Sequence, residues 1–191
     1  MSFSWKNFFN ELFLKVVNEY DAKSLAKVAY EIFPEKSLMD RDADGREFRL
    51  EELDPCTFLA RFNRKESNVN RIEYCEKAKD VLHLQSEVPI DFDGIPTFRS
   101  VAYWFFSFKW KRIGNEFQIL WDFSQSLARS ELQDKQFNDA LKCRGVGRMM
   151  LTTVCYIVWP DKYLPLDERT LRYLRARDPG ISQEILNNPQ F

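Results

Sequence analysis

Between Leu141 and Leu174 the chain reads LKCRGVGRMMLTTVCYIVWPDKYLPLDERTLRYL. The Gly145-Val146-Gly147 turn at its head constrains the fold more than any other feature. Apolar-periodic segments flank it on both sides. Two glycines set one residue apart let a backbone reverse tightly and leave bare N–H groups at the start of the next helix. Such a helix N-terminus suits a phosphate. The pattern predicts the hairpin of a helix-hairpin-helix and points to nucleic acid. The competing reading is that the glycines only cap a helix.

A chain of 191 residues makes one large domain, here 1–191, with a possible helical subdivision into 1–53 and 54–191. A hydrophobic share of 45% with 17 Phe and 5 Trp is ample for a dense core. No apolar run reaches the roughly 18 residues of a membrane span. The N-terminal MSFSWKNFFNELFLKVV is broken by Lys6, Glu11 and Lys15, so it reads as an amphipathic helix and not a signal peptide. Cys56, Cys75, Cys143 and Cys155 form no CxxC pair, and the expectation is reduced, buried thiols in a cytoplasmic protein. With His83 the lone histidine, zinc or triad chemistry that depends on histidine has little to work with.

The net charge of −1 argues weakly against a general nucleic-acid binder, but its distribution matters more. Residues 142–177 carry Lys142, Arg144, Arg148, Lys162, Arg169, Arg172, Arg175 and Arg177 against Asp161, Asp167 and Glu168. The acidic excess falls in 31–55. The basic excess therefore coincides with the hairpin, although such a run is often only a solvated face.

Apolar spacing and caps predict helices over 4–19 and 22–33, with Asp21 as N-cap, then a loop over 35–53. Asp54-Pro55 opens a short helix to about Phe62. Further helices are expected over 66–82, 98–112, 115–129, 133–143, 147–159, 167–176 and 181–187. VPIDFDGIPT (88–97) reads as a loop. The fold class is mainly α: a compact multi-helix domain with the hairpin near its C-terminal end and at most a small sheet.

Two resemblances sharpen the functional reading. The segment from Leu141 to Asp167 resembles the helix-hairpin-helix of DNA glycosylases of the endonuclease III type, in which a Val/Leu-Asp pair follows the hairpin at this distance. The resemblance places Asp167 on the catalytic aspartate. It also places Met149 where the lyase members carry a Schiff-base lysine, and methionine cannot form an imine. Leu151 stands where a small residue is usual, and no iron–sulfur cysteine set follows. The plainer reading of Asp167 is an N-cap for the helix behind it.

The second resemblance covers more of the chain. DPCTFLARFNR (54–64), EVPIDFDGIPTFRSVAYWFF (87–106), LWDFSQSL (120–127), LKCRGVGRMMLTTVCYIVWPDKYLPLD (141–167) and RTLRYL (169–174) look like the N-terminal module of McrB-type restriction proteins. There the module selects DNA, often modified, ahead of an AAA+ motor that drives a McrC-type nuclease in defence against phage. This sequence holds no GxxxxGK[ST] loop, so GTP or ATP would bind a motor outside it, and no cofactor is expected here. On this reading the chain is an excised module or a motorless relative, and the ragged end NNPQF suits the former.

Two further patterns need weighing. DRDADGREFRLE (40–51) matches the calcium loop of an EF-hand, with Asp40, Asp42, Asp44 and Glu51 as ligand positions. Glu47 sits where an aliphatic residue is normal and no second hand follows, so an acidic surface loop without metal is expected. FRSVAYWFFSFKWKR (98–112) interleaves aromatics with bases, which can stack on a base, or can be a core helix with a basic end. Trp104 and Trp110 are the base-contact candidates, because indoles are rarely fully buried.

The favoured reading is a DNA-recognition module, not itself an enzyme, in which Gly145, Val146, Gly147 and Arg148 hold a backbone phosphate and Lys142 and Arg144 add charge. The alternatives are a monofunctional glycosylase-like enzyme acting through Asp167, and a protein-interaction domain in which the hairpin is only a helix joint.

Overall fold

The computed structural model describes residues 3–64, 66–98 and 104–177. The protein is mainly helical; the described residues form eight α-helices and one two-stranded sheet. The helices are α1 (Lys6–Glu19), α2 (Ala22–Ile32), α3 (Pro55–Arg61), α4 (Asn68–Leu82), α5 (Glu116–Ala128), α6 (Asp134–Leu141), α7 (Arg148–Val158) and α8 (Glu168–Arg177). The helix expected over 181–187 lies outside the described residues.

Local chemistry sets the helix starts. Asp21 Oδ1 accepts from the N–H groups of Lys23 and Ser24, and Ser24 Oγ accepts from the Asp21 N–H, a reciprocal box that opens α2. Asp54 caps α3 through the Thr57 N–H at 2.9 Å, with Pro55 in the first turn. Ser67 caps α4 through the Asn70 N–H.

The core sits around α1. Its Phe8, Phe9, Leu12, Phe13, Val16 and Val17 are all buried, a stripe at helical spacing. It packs against α3, α4, α5 and α7. Every residue of α3 is buried, and eight of α7 are. Buried residues from Trp5 to Val158 form one contiguous cluster. All four cysteines lie in it as free thiols.

Two expectations need correction. The acidic stretch 35–53 is not all loop: β1 (Met39–Arg41) and β2 (Glu47–Arg49) pair antiparallel, with Asp40 opposite Phe48. The calcium-like loop is thus the turn of a hairpin and has no flanking helices. Asp40 is buried and takes the Lys109 N–H at 3.0 Å and the Arg112 guanidinium. Asp42 Oδ1 closes the turn by accepting from the N–H groups of Asp44 and Arg46, at 2.9 and 2.8 Å. Glu51 lies outside the strands, exposed. Among the described residues no group of carboxylates, cysteines or histidine is gathered for a metal.

The helix expected over 98–112 is not formed where the segment is described. Residues 104–112 run as an irregular strap with one short turn, Lys109–Lys111. Its backbone donors find partners far away in sequence. The Phe105 N–H bonds Thr57 Oγ1 at 3.1 Å, and the Lys109 N–H bonds Asp40. With Phe105 and Phe106 buried, the strap anchors by tertiary contacts that a helix would forgo.

Candidate functional site

The turn between α6 and α7 is built by the backbone. The N–H groups of Lys142 and Cys143 bond the carbonyls of Asp139 and Ala140, both at 3.1 Å, which tightens the end of α6. Cys143 is buried and its carbonyl takes the Val146 N–H at 3.0 Å. Gly145 then turns at φ +93°, a left-handed conformation that glycine adopts without strain. Val146 packs against the core and anchors the turn. Gly147 is the N-cap of α7, with no side-chain cap, and its carbonyl accepts from Met150 and Leu151.

Consequently the N–H groups of Gly145, Gly147 and Met149 have no hydrogen-bond partner among the described residues. A Cβ built on either glycine would meet nothing within 4 Å. The face in front of the α7 N-terminus is open.

Charge is arranged unevenly around it. Arg144 is exposed and its guanidinium makes no ion pair among the described residues. Lys142 is exposed and pairs with Asp139 at 2.6 Å, a contact worth little at a surface. Arg148 is half-buried. Three other bases of the 142–177 excess make local contacts. Lys162 donates to Ser130, Arg172 pairs with Glu168 at 3.1 Å, and Arg177 lies over Tyr173. Arg169 and Arg175 are exposed, so the basic excess continues from the hairpin along α8.

The aromatic strap lies beside the hairpin, joined by a Ser107 hydroxyl hydrogen bond to the Arg144 carbonyl at 3.4 Å. The two tryptophans differ. Trp110 is 51% exposed with Lys111 Nζ over its ring at 4.1 Å. Trp104 is half-buried against Phe106, ring centroids 5.2 Å apart. Of the two base-contact candidates, Trp110 is the more exposed.

Asp167 does two things. Its Oδ1 accepts from the Thr170 N–H at 2.8 Å and caps α8, as the plainer sequence reading expects. It also lines a cavity of about 190 Å³ with Met149, Thr153 and Phe98. A Leu166 N–H bond to Thr152 Oγ1 holds this turn against α7. The hairpin and Asp167 therefore meet on α7. Nearby, burial raises the Tyr156 hydroxyl above its usual pKa, and the Asp167 charge adds to the effect.

Sequence reasoning missed a second cavity, about 340 Å³, lined by Asn63, Arg64, Glu66, Arg71 and Thr97. Arg71 is buried on α4, its guanidinium 3.6 Å from the Phe92 ring centroid. Desolvation lowers its pKa to about 10. Nothing in VNRIEYCEK distinguishes Arg71 from a solvated helix residue. Thr97 borders both cavities.

Set beside known proteins, the chain belongs to the family described as a domain of unknown function, DUF8425, whose family model matches residues 5–185. No curated protein and no solved structure matches it.

Proposed function

From the resemblance of its segments to McrB-type N-terminal modules and the geometry of its hairpin, we propose that this chain is a DNA-recognition module of a McrB-like restriction or phage-defence system. It positions itself by gripping one backbone phosphate at the α6–α7 turn. The observation that carries the reading is the set of unpartnered N–H groups of Gly145, Gly147 and Met149 on an open face, beside exposed Arg144. Unsatisfied N–H groups at a helix start attract an anion, and the helix dipole adds to them. Lys142 contributes charge at the rim, and Arg148 begins α7. Trp110 supplies a stacking face within the adjoining strap. A backbone contact positions but does not specify, so base readout falls to the strap or to the 87–97 loop. On this reading the chain is not itself an enzyme. Hydrolysis of GTP or ATP belongs to a separate motor, and cleavage to a McrC-type nuclease.

Fluorescence anisotropy tests the proposal, using duplex and single-stranded oligonucleotides, modified and unmodified, at two salt concentrations. The expected affinity without a preferred site is roughly 10⁻⁴–10⁻⁶ M, weakening steeply with salt. Absence of binding to every oligonucleotide at low salt would sink it.

One observation favours a second reading. Asp167 lines a cavity, where a carboxylate could stabilise positive charge developing on a sugar. Against it, one carboxylate oxygen is already committed to the cap of α8. Release of a free base that is lost in Asp167→Asn is what this reading requires. Burial of both Arg144 and Arg148 in internal salt bridges would favour the interaction-domain reading; Arg144 is exposed and Arg148 is half-buried.

A further inference from the structure

The last described helix, α8, buries none of its residues. It carries Arg169, Arg172, Arg175 and Arg177 against Glu168 alone. Arg169 and Arg175 are exposed and make no ion pair among the described residues. Arg172 holds Glu168, but both side chains are more than three-quarters exposed, and such a contact is worth little. The stability of the helix accounts for only part of this row. Arg175 and Arg177 stand in the last turn, where cations complement the helix dipole. Arg169 stands in the first turn, where a cation opposes it. The acids beside it are engaged: Glu168 with Arg172, and Asp167 as the cap of α8.

The row is also fastened to the hairpin. The Thr152 hydroxyl donates to the Arg148 carbonyl at 2.8 Å and accepts from the Leu166 N–H at 3.0 Å. Arg148 opens α7, and Leu166 lies two residues before α8. Pro165 beside it is buried. Met149, in the first turn of α7, and Arg169, in the first turn of α8, line the same cavity of about 190 Å³. The bases of α8 therefore stand at a set position relative to the open N–H groups of the hairpin.

We infer that α8 is a second contact surface for a DNA duplex, carrying the backbone onward from the hairpin over Arg169, Arg172 and Arg175. These three recur every third residue and rise about 9 Å along the helix. That length passes two to three phosphates of one duplex strand, which follow at about 3.4 Å along its axis. A fixed row of guanidinium groups suits the fixed phosphate spacing of a duplex, and each can hold a phosphate by two parallel N–H bonds. The inference rests on the DNA reading and extends it from one phosphate to a track.

The test uses the whole chain and fluorescence anisotropy on one short duplex over a series of salt concentrations. Arg169→Gln/Arg175→Gln removes two exposed charges and keeps helix propensity. Lys27→Gln/Lys36→Gln removes the same charge from exposed positions on α2 and in the turn after it. Thermal melts check that both fold. The arginine variant is expected to flatten the slope of log affinity against log salt by about 1.8, two phosphates at about 0.9 each. Between about 50 and 200 mM salt the wild type then loses roughly tenfold more affinity than the variant. The lysine variant is expected to keep the wild-type slope. Amide shifts of the wild-type chain with the duplex need no variant, and they are expected at 168–175 as well as at 145–149. An unchanged slope in the folded arginine variant, equal flattening in both variants, or shifts confined to 145–149 would overturn the inference and leave the hairpin reading standing. A wild-type chain that binds no duplex at low salt would remove both.

Discussion

Asp54 shows how one buried residue fixes both a helix and a pH response. It is fully buried, with Oδ1 capping α3 and Oδ2 unpartnered. Desolvation raises its pKa to about 6 against the hydrogen bonds from Thr57 and Cys56. The neighbouring thiols Cys56 and Cys143 are themselves pushed up, Cys143 to about 12, chiefly by burial. The folded state therefore holds the Asp54 proton more tightly than the unfolded chain does. As pH rises from the ordinary carboxylate range through about 6, the unfolded chain releases its proton first and stability falls. Glu11 and Glu116 act in the opposite sense, since backbone donors lower their pKa values despite burial. They contribute stability above the unfolded carboxylate pKa that is lost as pH falls. Asp54→Asn keeps an oxygen for the cap and removes the titration. The difference in stability between variant and wild type should grow by roughly 1–3 kcal/mol from pH 4.5 to 7.5, read from denaturant melts. A difference that does not change with pH would contradict the assignment. Asp54-Pro55 was legible in the sequence as a helix start, but its burial was not, because polarity alone gives no sign of what packs over it. The same holds for Arg71, whose cavity is made by Asn63 and the distant Thr97.

At the scale of elements, α1 to α8 follow from apolar spacing and caps, which are local in sequence. The strap and the β-hairpin do not. The 104–112 segment is aromatic all round, so it has no period that reveals an irregular path. Its backbone donors are taken by Thr57 and Asp40, 48 and 69 residues away. Asp40 likewise matched a calcium pattern because spacing cannot show whether carboxylates converge. Instead it holds Arg112, whose guanidinium sits 4.7 Å from the Phe106 ring and 5.1 Å from the Phe117 ring. Asp40→Ala should leave that cation uncompensated and cost about 3 kcal/mol, with a change in Trp110 fluorescence as the strap loosens. A loss within about 0.5 kcal/mol, the range of an ordinary surface substitution, would show that the strap is held by its aromatics alone. Calcium should leave the wild-type melting temperature unmoved.

For the whole molecule, a net charge of −1 and a pI near 6.0 mean that attraction to DNA cannot come from the protein's overall field. Among the described residues no helix is long and apolar enough to cross a membrane. The sequence did locate the hairpin, because glycines with apolar flanks leave few other folds. Within the basic excess that it located, Lys162, Arg172 and Arg177 make local contacts while Arg169 and Arg175 are exposed. The hairpin carries the DNA reading, and one variant probes it. Gly147→Asp places a carboxylate at the α7 N-cap, where Asp is a favoured residue and nothing lies within 4 Å of the new Cβ. The melting temperature should hold or rise. If the hairpin grips a phosphate, anisotropy at low salt should show DNA affinity falling about tenfold or more, with a shallower salt dependence by about one phosphate contact. A folded Gly147→Asp protein with wild-type affinity and salt slope would contradict the account.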